Sequence, residues 1–237
     1  MKMNKLITTL VLAMTLVCVP AVKAESFFDT SRPRKFINFG ARIGFNTSNR
    51  TFADGAFVND IKTSWGTGFN VGLIANLNIR DFLSLQPGFF FESRSGDLSN
   101  FVEYYEKDEM TGEDILAPHF GVYHERSYYF TIPVVAVLKF NITKFLKWNL
   151  EFGPYLQFML KETGSQNDIW LYEFLPYEYS YKAFHRTSDF GFKMGTSFQV
   201  FRHYYIGAHY LAGTKDTWRI PKGGRNKSWM FTVGYDF

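Results

Sequence analysis

The chain alternates, over eight separate stretches, between bulky apolar residues and residues that are small or polar. A strand turns successive side chains to opposite faces, so a period of two describes a ribbon with one greasy side. The first stretch spans about 36–46, where Ile37, Phe39, Ala41, Ile43 and Phe45 oppose Asn38, Gly40, Arg42, Gly44 and Asn46. The second, about 67–79, sets Phe69, Val71, Leu73, Ala75 and Leu77 against Gly68, Asn70, Gly72, Asn76 and Asn78. The third, about 83–92, sets Leu83, Leu85, Phe89 and Phe91 against Ser84, Gln86, Gly88 and Glu92. The fourth, about 128–140, has the poorest contrast, because Val135 and Val137 face away from Phe130, Ile132 and Val134 yet are also apolar. Contrast returns in the fifth (about 148–161), sixth (about 188–200) and seventh (about 203–213). In the eighth, Trp229, Phe231, Val233, Tyr235 and Phe237 oppose Ser228, Met230, Thr232, Gly234 and Asp236.

The connections carry as much information as the strands. Pairs one–two, three–four, five–six and seven–eight are separated by polar segments of roughly 13 to 35 residues, long by the usual statistics of loops. Pairs two–three, four–five and six–seven are joined by short segments: Arg80-Asp81, Asn141 to Lys147, and Phe201-Arg202. Long–short alternation is what a membrane barrel requires, with short turns on the periplasmic side and long loops outside. The fold class that follows is all-β: an eight-stranded antiparallel up-and-down transmembrane β-barrel, with both termini periplasmic. Pro87, Pro133 and Pro154 lie inside three of the strands. Proline cannot donate to a ladder, so each is expected to mark a bulge or a strand end.

Composition supports lipid as the partner of the greasy faces. Phe (27) and Tyr (14) help bring the aromatic share to 19%, beyond the needs of an ordinary soluble core. Yet mean hydropathy is only −0.15, as expected when each lipid-facing residue is followed by a lumenal one. Lys2, Lys5, the apolar run Leu6–Val19 and Val22-Lys23-Ala24 have the order of a cleaved export signal. The expected organisation is a signal over 1–24, a periplasmic segment over 25–35 and the barrel over 36–237. The single cysteine, Cys18, falls within that signal, which excludes disulfides, thiolate metal sites and a cysteine nucleophile from the mature chain. A net charge of +4 argues for no nucleic-acid partner.

Several short motifs occur in order: Phe39-Gly-Ala-Arg-Ile-Gly-Phe-Asn46, Ser84-Leu-Gln-Pro-Gly88, Thr131-Ile-Pro-Val134 with Leu138-Lys-Phe140, and Phe152-Gly-Pro-Tyr155. Asp189-Phe-Gly191, Ile206-Gly-Ala-His-Tyr210 and Gly234-Tyr-Asp-Phe237 follow. Together they resemble the PorT-like outer-membrane β-barrel domain family, small barrels of Gram-negative bacteria, over about 36–237. All three prolines fall at family positions, whereas Gly88 and Thr131 stand where an acidic residue is common. The resemblance implies fold and location, with a role in secretion or envelope assembly.

The polar side of the strands carries Arg42, Glu92, Lys139, Glu151, Asp189 and Lys193, with His209 and Asp236. The interior of an eight-stranded barrel is only wide enough for side chains, so these charges are expected to pair as a lumenal polar plug. No metalloprotease helix, nucleophile elbow or phosphate loop is present; catalytic, metal and cofactor sites are expected to be none. His119, His124 and Glu125 read as surface residues of the second loop. That loop is acidic (Asp97, Glu103, Glu106, Asp108, Glu109, Glu113, Asp114) and suited to gathering divalent cations. The fourth holds Lys215, Arg219, Lys222, Arg225 and Lys227, candidates for contact with anionic lipopolysaccharide. Tyr104, Tyr105, Trp170, Tyr172 and Tyr177 would offer contact surface to a protein or glycan, and Trp65, Tyr128, Trp148 and Trp229 an interfacial girdle.

The reading is therefore a non-catalytic structural or interaction protein embedded in outer-membrane lipid. One alternative is a soluble ligand-binding barrel of lipocalin type, with the bulky side turned inward. Another is a barrel enzyme acting on envelope lipid.

Overall fold

A computed structural model describes residues 27–51, 62–107, 114–167, 187–216 and 224–237. The expected export signal, Asp108, Glu109, Glu113, Trp170, Tyr172, Tyr177, Arg219 and Lys222 lie outside them. Eight strands follow in chain order: β1 (Ile37–Thr51), β2 (Lys62–Arg80), β3 (Leu83–Lys107) and β4 (Asp114–Thr143), then β5 (Leu146–Asn167), β6 (Ser188–Val200), β7 (Tyr204–Gly213) and β8 (Arg225–Asp236). Each pairs antiparallel with its sequence neighbours, and β1 pairs with β8 from Gly40↔Asp236 to Thr51↔Arg225, so the sheet closes on itself. Closure leaves the membrane-spanning part without an edge, and a sheet in hydrocarbon needs that because lipid offers its backbone no hydrogen bonds.

The greasy faces look outward. Phe39, Ile43, Leu73, Phe152, Ile206 and Val233 are all more than half exposed, while Asn46, Asn70, Glu92 and Gln157 are completely enclosed. This orientation disposes of the soluble lipocalin reading, which needs the reverse. Val135 and Val137, which weakened the alternation of β4, are lumenal and buried. Ile74, Phe90, Tyr155, Leu211 and Met230 are also apolar and buried, and the last three form a cluster inside the barrel. Gly72 makes room for Phe90: a β-carbon there would lie 2.5 Å from its ring.

The prolines neither end strands nor shift the register. Pairing skips Ala75–Pro87, Gly88–Pro133 and Val134–Pro154, then resumes with the same partners it would have had. Register irregularities occur elsewhere, at Trp65/Asn70, Asn78/Arg80, Tyr128/Tyr129 and Asn141/Thr143. Each proline deletes one donor, and the intact pairs on either side hold the two strands in place.

Strand lengths are uneven. A barrel strand crosses a bilayer in about 9–11 residues, which suits β7 (10 residues) and β8 (12 residues). β3 runs for 25 residues and β4 for 30. Most of the stretch expected to be a polar second loop is instead a hairpin, paired continuously from Phe90↔Thr131 to Lys107↔Asp114. The apolar half of the pattern is lost there although the ladder continues.

At the opposite end the turns are tight: Asp81-Phe82, Lys144-Phe145 and 201–203. Phe201 and Arg202 have φ of 50° and 67°, the left-handed region that a two-residue hairpin turn demands. Asparagine and glycine suit that turn; non-glycine residues there cost of order 1–3 kcal/mol each. Residues 27–36 run back along this rim. Phe28 and Phe27 pack on Phe140 with centroids 5.0 and 5.1 Å away, and backbone bonds tie Asp81 to Ser31 and Asn141 to Phe27. Phe140 is thereby buried although it lies on the outward face.

Orientation is tested by charge. Val71→Arg should cost about 2–4 kcal/mol if Val71 lies near the bilayer midplane, and Trp65→Arg, nearer the interface, about 0–1 kcal/mol. Unfolding in lipid vesicles measures both. Equal costs at the two sites would contradict the orientation.

Candidate functional site

The alternation that turns apolar residues to lipid delivers a polar residue to the lumen from every second position, and the lumen is filled by what arrives. Near the periplasmic end, the Lys139 ammonium and Ser84 hydroxyl donate to Asn78 Oδ1 at 2.8 and 2.7 Å. Above it Arg42 reaches Asp236 at 2.7 Å, joining β1 to β8 across the closing seam, and its guanidinium lies 3.8 Å from the Tyr205 ring centroid. Gln199 donates to the other Asp236 oxygen at 2.7 Å.

The middle layer is built on Glu151. Its Oε1 accepts from Ser197 at 2.6 Å and from the Tyr205 hydroxyl at 2.8 Å, and its Oε2 lies 2.9 Å from His209 Nε2. Gly195, paired with His209, leaves the ring its space: a β-carbon there would lie 2.5 Å from His209 Cδ2. The Lys193 ammonium sits 5.3 Å from the Phe90 ring centroid. Farther out, Arg94 binds Glu92 at 2.7 Å and Gln157 at 3.3 Å, and Gln157 donates to Thr131 at 2.8 Å. At the external mouth Arg50 pairs with Glu125, has Glu162 at 3.7 Å, and donates to the Tyr129 hydroxyl at 3.2 Å. Ser127 also donates to Glu125. Asp189 accepts from Asn226 at 3.3 Å.

The candidate charges thus do not form one cluster. Arg42 meets Asp236, Glu92 meets Arg94, Glu151 meets His209, and Lys139 meets an amide. Arg94 and Arg50 escaped sequence reasoning, which ended strands three and one at Glu92 and Asn46. Glu125, read as a surface residue, is buried against Arg50. The signal was present: Glu92 and Arg94, like Glu125, Ser127, Tyr129 and Thr131, keep the lumenal phase of their strands. His124 is indeed exposed, bonded to Asp97 at 2.7 Å. Among the described residues no three His, Cys, Asp or Glu side chains converge on a metal-sized site.

Of the fourth-loop bases, Lys215 is exposed, Arg225 is exposed and bonded to Asp216 at 3.2 Å, and Lys227 sits one strand step from Trp229 on the outward face. Trp65 and Trp229 are also outward, and Trp229 packs on Tyr210 with centroids 4.9 Å apart.

A closed eight-stranded ladder, greasy outside and charged within, has its counterpart among protein families: the model described as "Outer membrane protein beta-barrel domain" matches residues 27–217. The chain belongs to that family. It is an outer-membrane protein. Solved barrels share its outline at low identity. Ail of Yersinia pestis is 11% identical, with TM-score 0.40 over 84% of this chain and 98% of that one. Neisserial surface protein A is 12% identical, with TM-score 0.43 over 84% and 95%. OprG of Pseudomonas aeruginosa is 11% identical, with TM-score 0.40 over 90% and 99%. No curated protein matches the chain.

Removing one member of a buried ion pair leaves a charge without its partner, at a cost of about 3–5 kcal/mol. Arg42→Ala should lose stability on that scale in detergent unfolding. Arg42→Ala combined with Asp236→Asn should lose less than the two single changes summed, because the residual charge is gone. Wild-type melting of Arg42→Ala would show that the lumenal pair contributes nothing.

Proposed function

We propose that this barrel is a non-catalytic interaction protein of PorT-like type, whose projecting β3–β4 hairpin engages a protein or glycan outside the membrane. The observation that carries the reading is the length of that hairpin. At about 3.3 Å per residue, the strand from Ser93 to Lys107 runs roughly 50 Å past Glu92. The excess lies on the external side because the other ends of β3 and β4 are held by tight turns. Extra strand of this kind does nothing for closure of the barrel or for burial in lipid. β2 and β5 accompany it part of the way, to Lys62↔Ser99 and Val122↔Asn167, so its base is a four-stranded blade and not a free loop.

The hairpin is acidic in sequence, from Asp97 and Glu103 to Glu113 and Asp114. Its partner is accordingly a surface that is basic or bridged by divalent cations. Lys227 and Lys215, with the neighbouring Arg225, Arg219 and Lys222, contact the anionic headgroups of lipopolysaccharide around the outer rim. Assistance to secretion or envelope assembly is the biological setting this arrangement suits. The non-catalytic part rests on burial: Glu151 and His209, the best-connected acid–base pair, are 2% and 1% exposed and enclosed by Ser197 and Tyr205.

The test replaces residues 100–121 by an Asn-Gly turn joining Ser99 to Val122, with a photoreactive side chain at Asp97. Intact envelopes should yield a discrete crosslinked partner from the full hairpin, and none from the shortened protein, with insertion of the barrel unchanged. A partner retained at undiminished yield after shortening would overturn the assignment to the hairpin.

A further inference from the structure

The periplasmic rim repeats one small device. At four places an exposed apolar residue is followed or preceded immediately by an exposed basic one: Lys35-Phe36, Ile79-Arg80, Lys144-Phe145 and Phe201-Arg202. Three of these occupy the three tight turns or the strand ends beside them; the fourth leads into β1. Arg32 and Arg34 add two more exposed bases to the same end. Of the acidic side chains there among the described residues, Asp81 pairs with Lys147 at 2.9 Å and Asp236 with Arg42, while Asp29 accepts from the Ser31 amide at 2.9 Å and keeps its charge. The exposed bases Arg32, Arg34, Lys35, Arg80, Lys144 and Arg202 outnumber it, so the rim presents an excess of basic charge to its surroundings.

The sixth–seventh strand turn shows that these residues are not incidental. Phe201 and Arg202 both take the left-handed conformation that asparagine and glycine adopt without strain. A hairpin selected only for stability would carry those residues. Instead the turn holds a phenylalanine that is 61% exposed and an exposed arginine, with the Phe201 ring stacked on Phe145 of the neighbouring turn at 5.7 Å. Observed strain at an exposed site points to a use for the side chains held there.

We propose that this rim is a binding ring for anionic phospholipid of the periplasmic leaflet, its bases pairing with headgroup phosphates while the adjacent phenylalanine and isoleucine side chains enter the acyl region. The two halves of each device match the two halves of a phospholipid at the depth where headgroup meets hydrocarbon. Long basic side chains reach from a lipid-facing surface up to the headgroup layer, and aromatic rings settle at the same interface. An acidic periplasmic protein would match the charge but would leave the flanking apolar residues without a role.

The test measures lipid association directly. Folded protein is reconstituted into phosphatidylcholine vesicles with spin-labelled phosphatidylglycerol or phosphatidylcholine as probe. Wild type should take up phosphatidylglycerol about twofold or more in preference, the advantage shrinking as salt rises. R80Q/K144Q/R202Q should lower the ratio clearly, toward one, with the remainder carried by the bases left in place. F201N/R202G supplies a variant whose turn is relieved of strain: it should unfold at a higher urea concentration than wild type in a neutral detergent, yet show a reduced lipid preference. A ratio of one in the wild type, or a preference unchanged in the triple variant, would overturn the proposal. So would lower stability of F201N/R202G in neutral detergent, because the turn would then be serving the fold and not the lipid.

Discussion

Everything in this molecule depends on the β1–β8 ladder. Hydrocarbon cannot hydrogen-bond an exposed strand edge, so a sheet in lipid is stable only when its first and last strands find one another. Here the seam runs from Gly40↔Asp236 to Thr51↔Arg225 and is pinned from inside by the Arg42–Asp236 pair. Because that constraint is global, local defects can be tolerated. Three prolines interrupt pairing among β2, β3, β4 and β5 within a few residues of one another. In an open sheet such interruptions would invite slippage. In a closed one the register of each pair is also fixed by all the others, so the ladder resumes unshifted.

Closure in turn dictates the lumen. With only eight strands there is no room for a wide aqueous channel, and the inward side chains are packed against one another within the barrel. The result is a stack of small networks, each spanning three or four strands, around Asn78, Asp236, Glu151, Glu92 and Glu125. An apolar cluster of Tyr155, Leu211 and Met230 lies among them. Breaking any one network leaves a buried charge, so each holds the strands it joins in one arrangement.

The membrane-spanning part was legible in the sequence because lipid on one side and lumen on the other impose opposite demands at alternate residues. Ile43 and Arg42, or Val71 and Asn70, could be assigned to their faces without coordinates. Legibility failed where one of those two environments was missing. Past the bilayer no lipid calls for apolar residues on the outward face of β3 and β4, and a strand rich in Glu, Ser and Tyr looks like a loop. The same loss hid Arg50, Arg94 and the buried position of Glu125. Inside, the pattern misled in a different way: Val135 and Val137 blurred β4 because a lumen can use apolar filler as readily as charge. The prolines misled because a strand pair taken alone lacks the restraint that closure supplies. At the periplasmic rim, the packing of Phe27 and Phe28 on Phe140 joins residues far apart in sequence, and no periodicity announces it.

The two ends of the barrel follow different rules, and the difference traces to their connections. Tight turns leave no room for ornament, so whatever the periplasmic end does must be done by the residues at the corners themselves. At Phe201-Arg202 both residues hold positive φ although neither is glycine or asparagine. The external end has no such restriction: once past the bilayer, β3 and β4 can lengthen without disturbing closure, since each added pair satisfies its own backbone. Function can therefore be elaborated there by extension and at the other end only by substitution. That is why the external face is marked by a feature measured in length, and the periplasmic face by a short repeated pairing of one basic with one apolar residue.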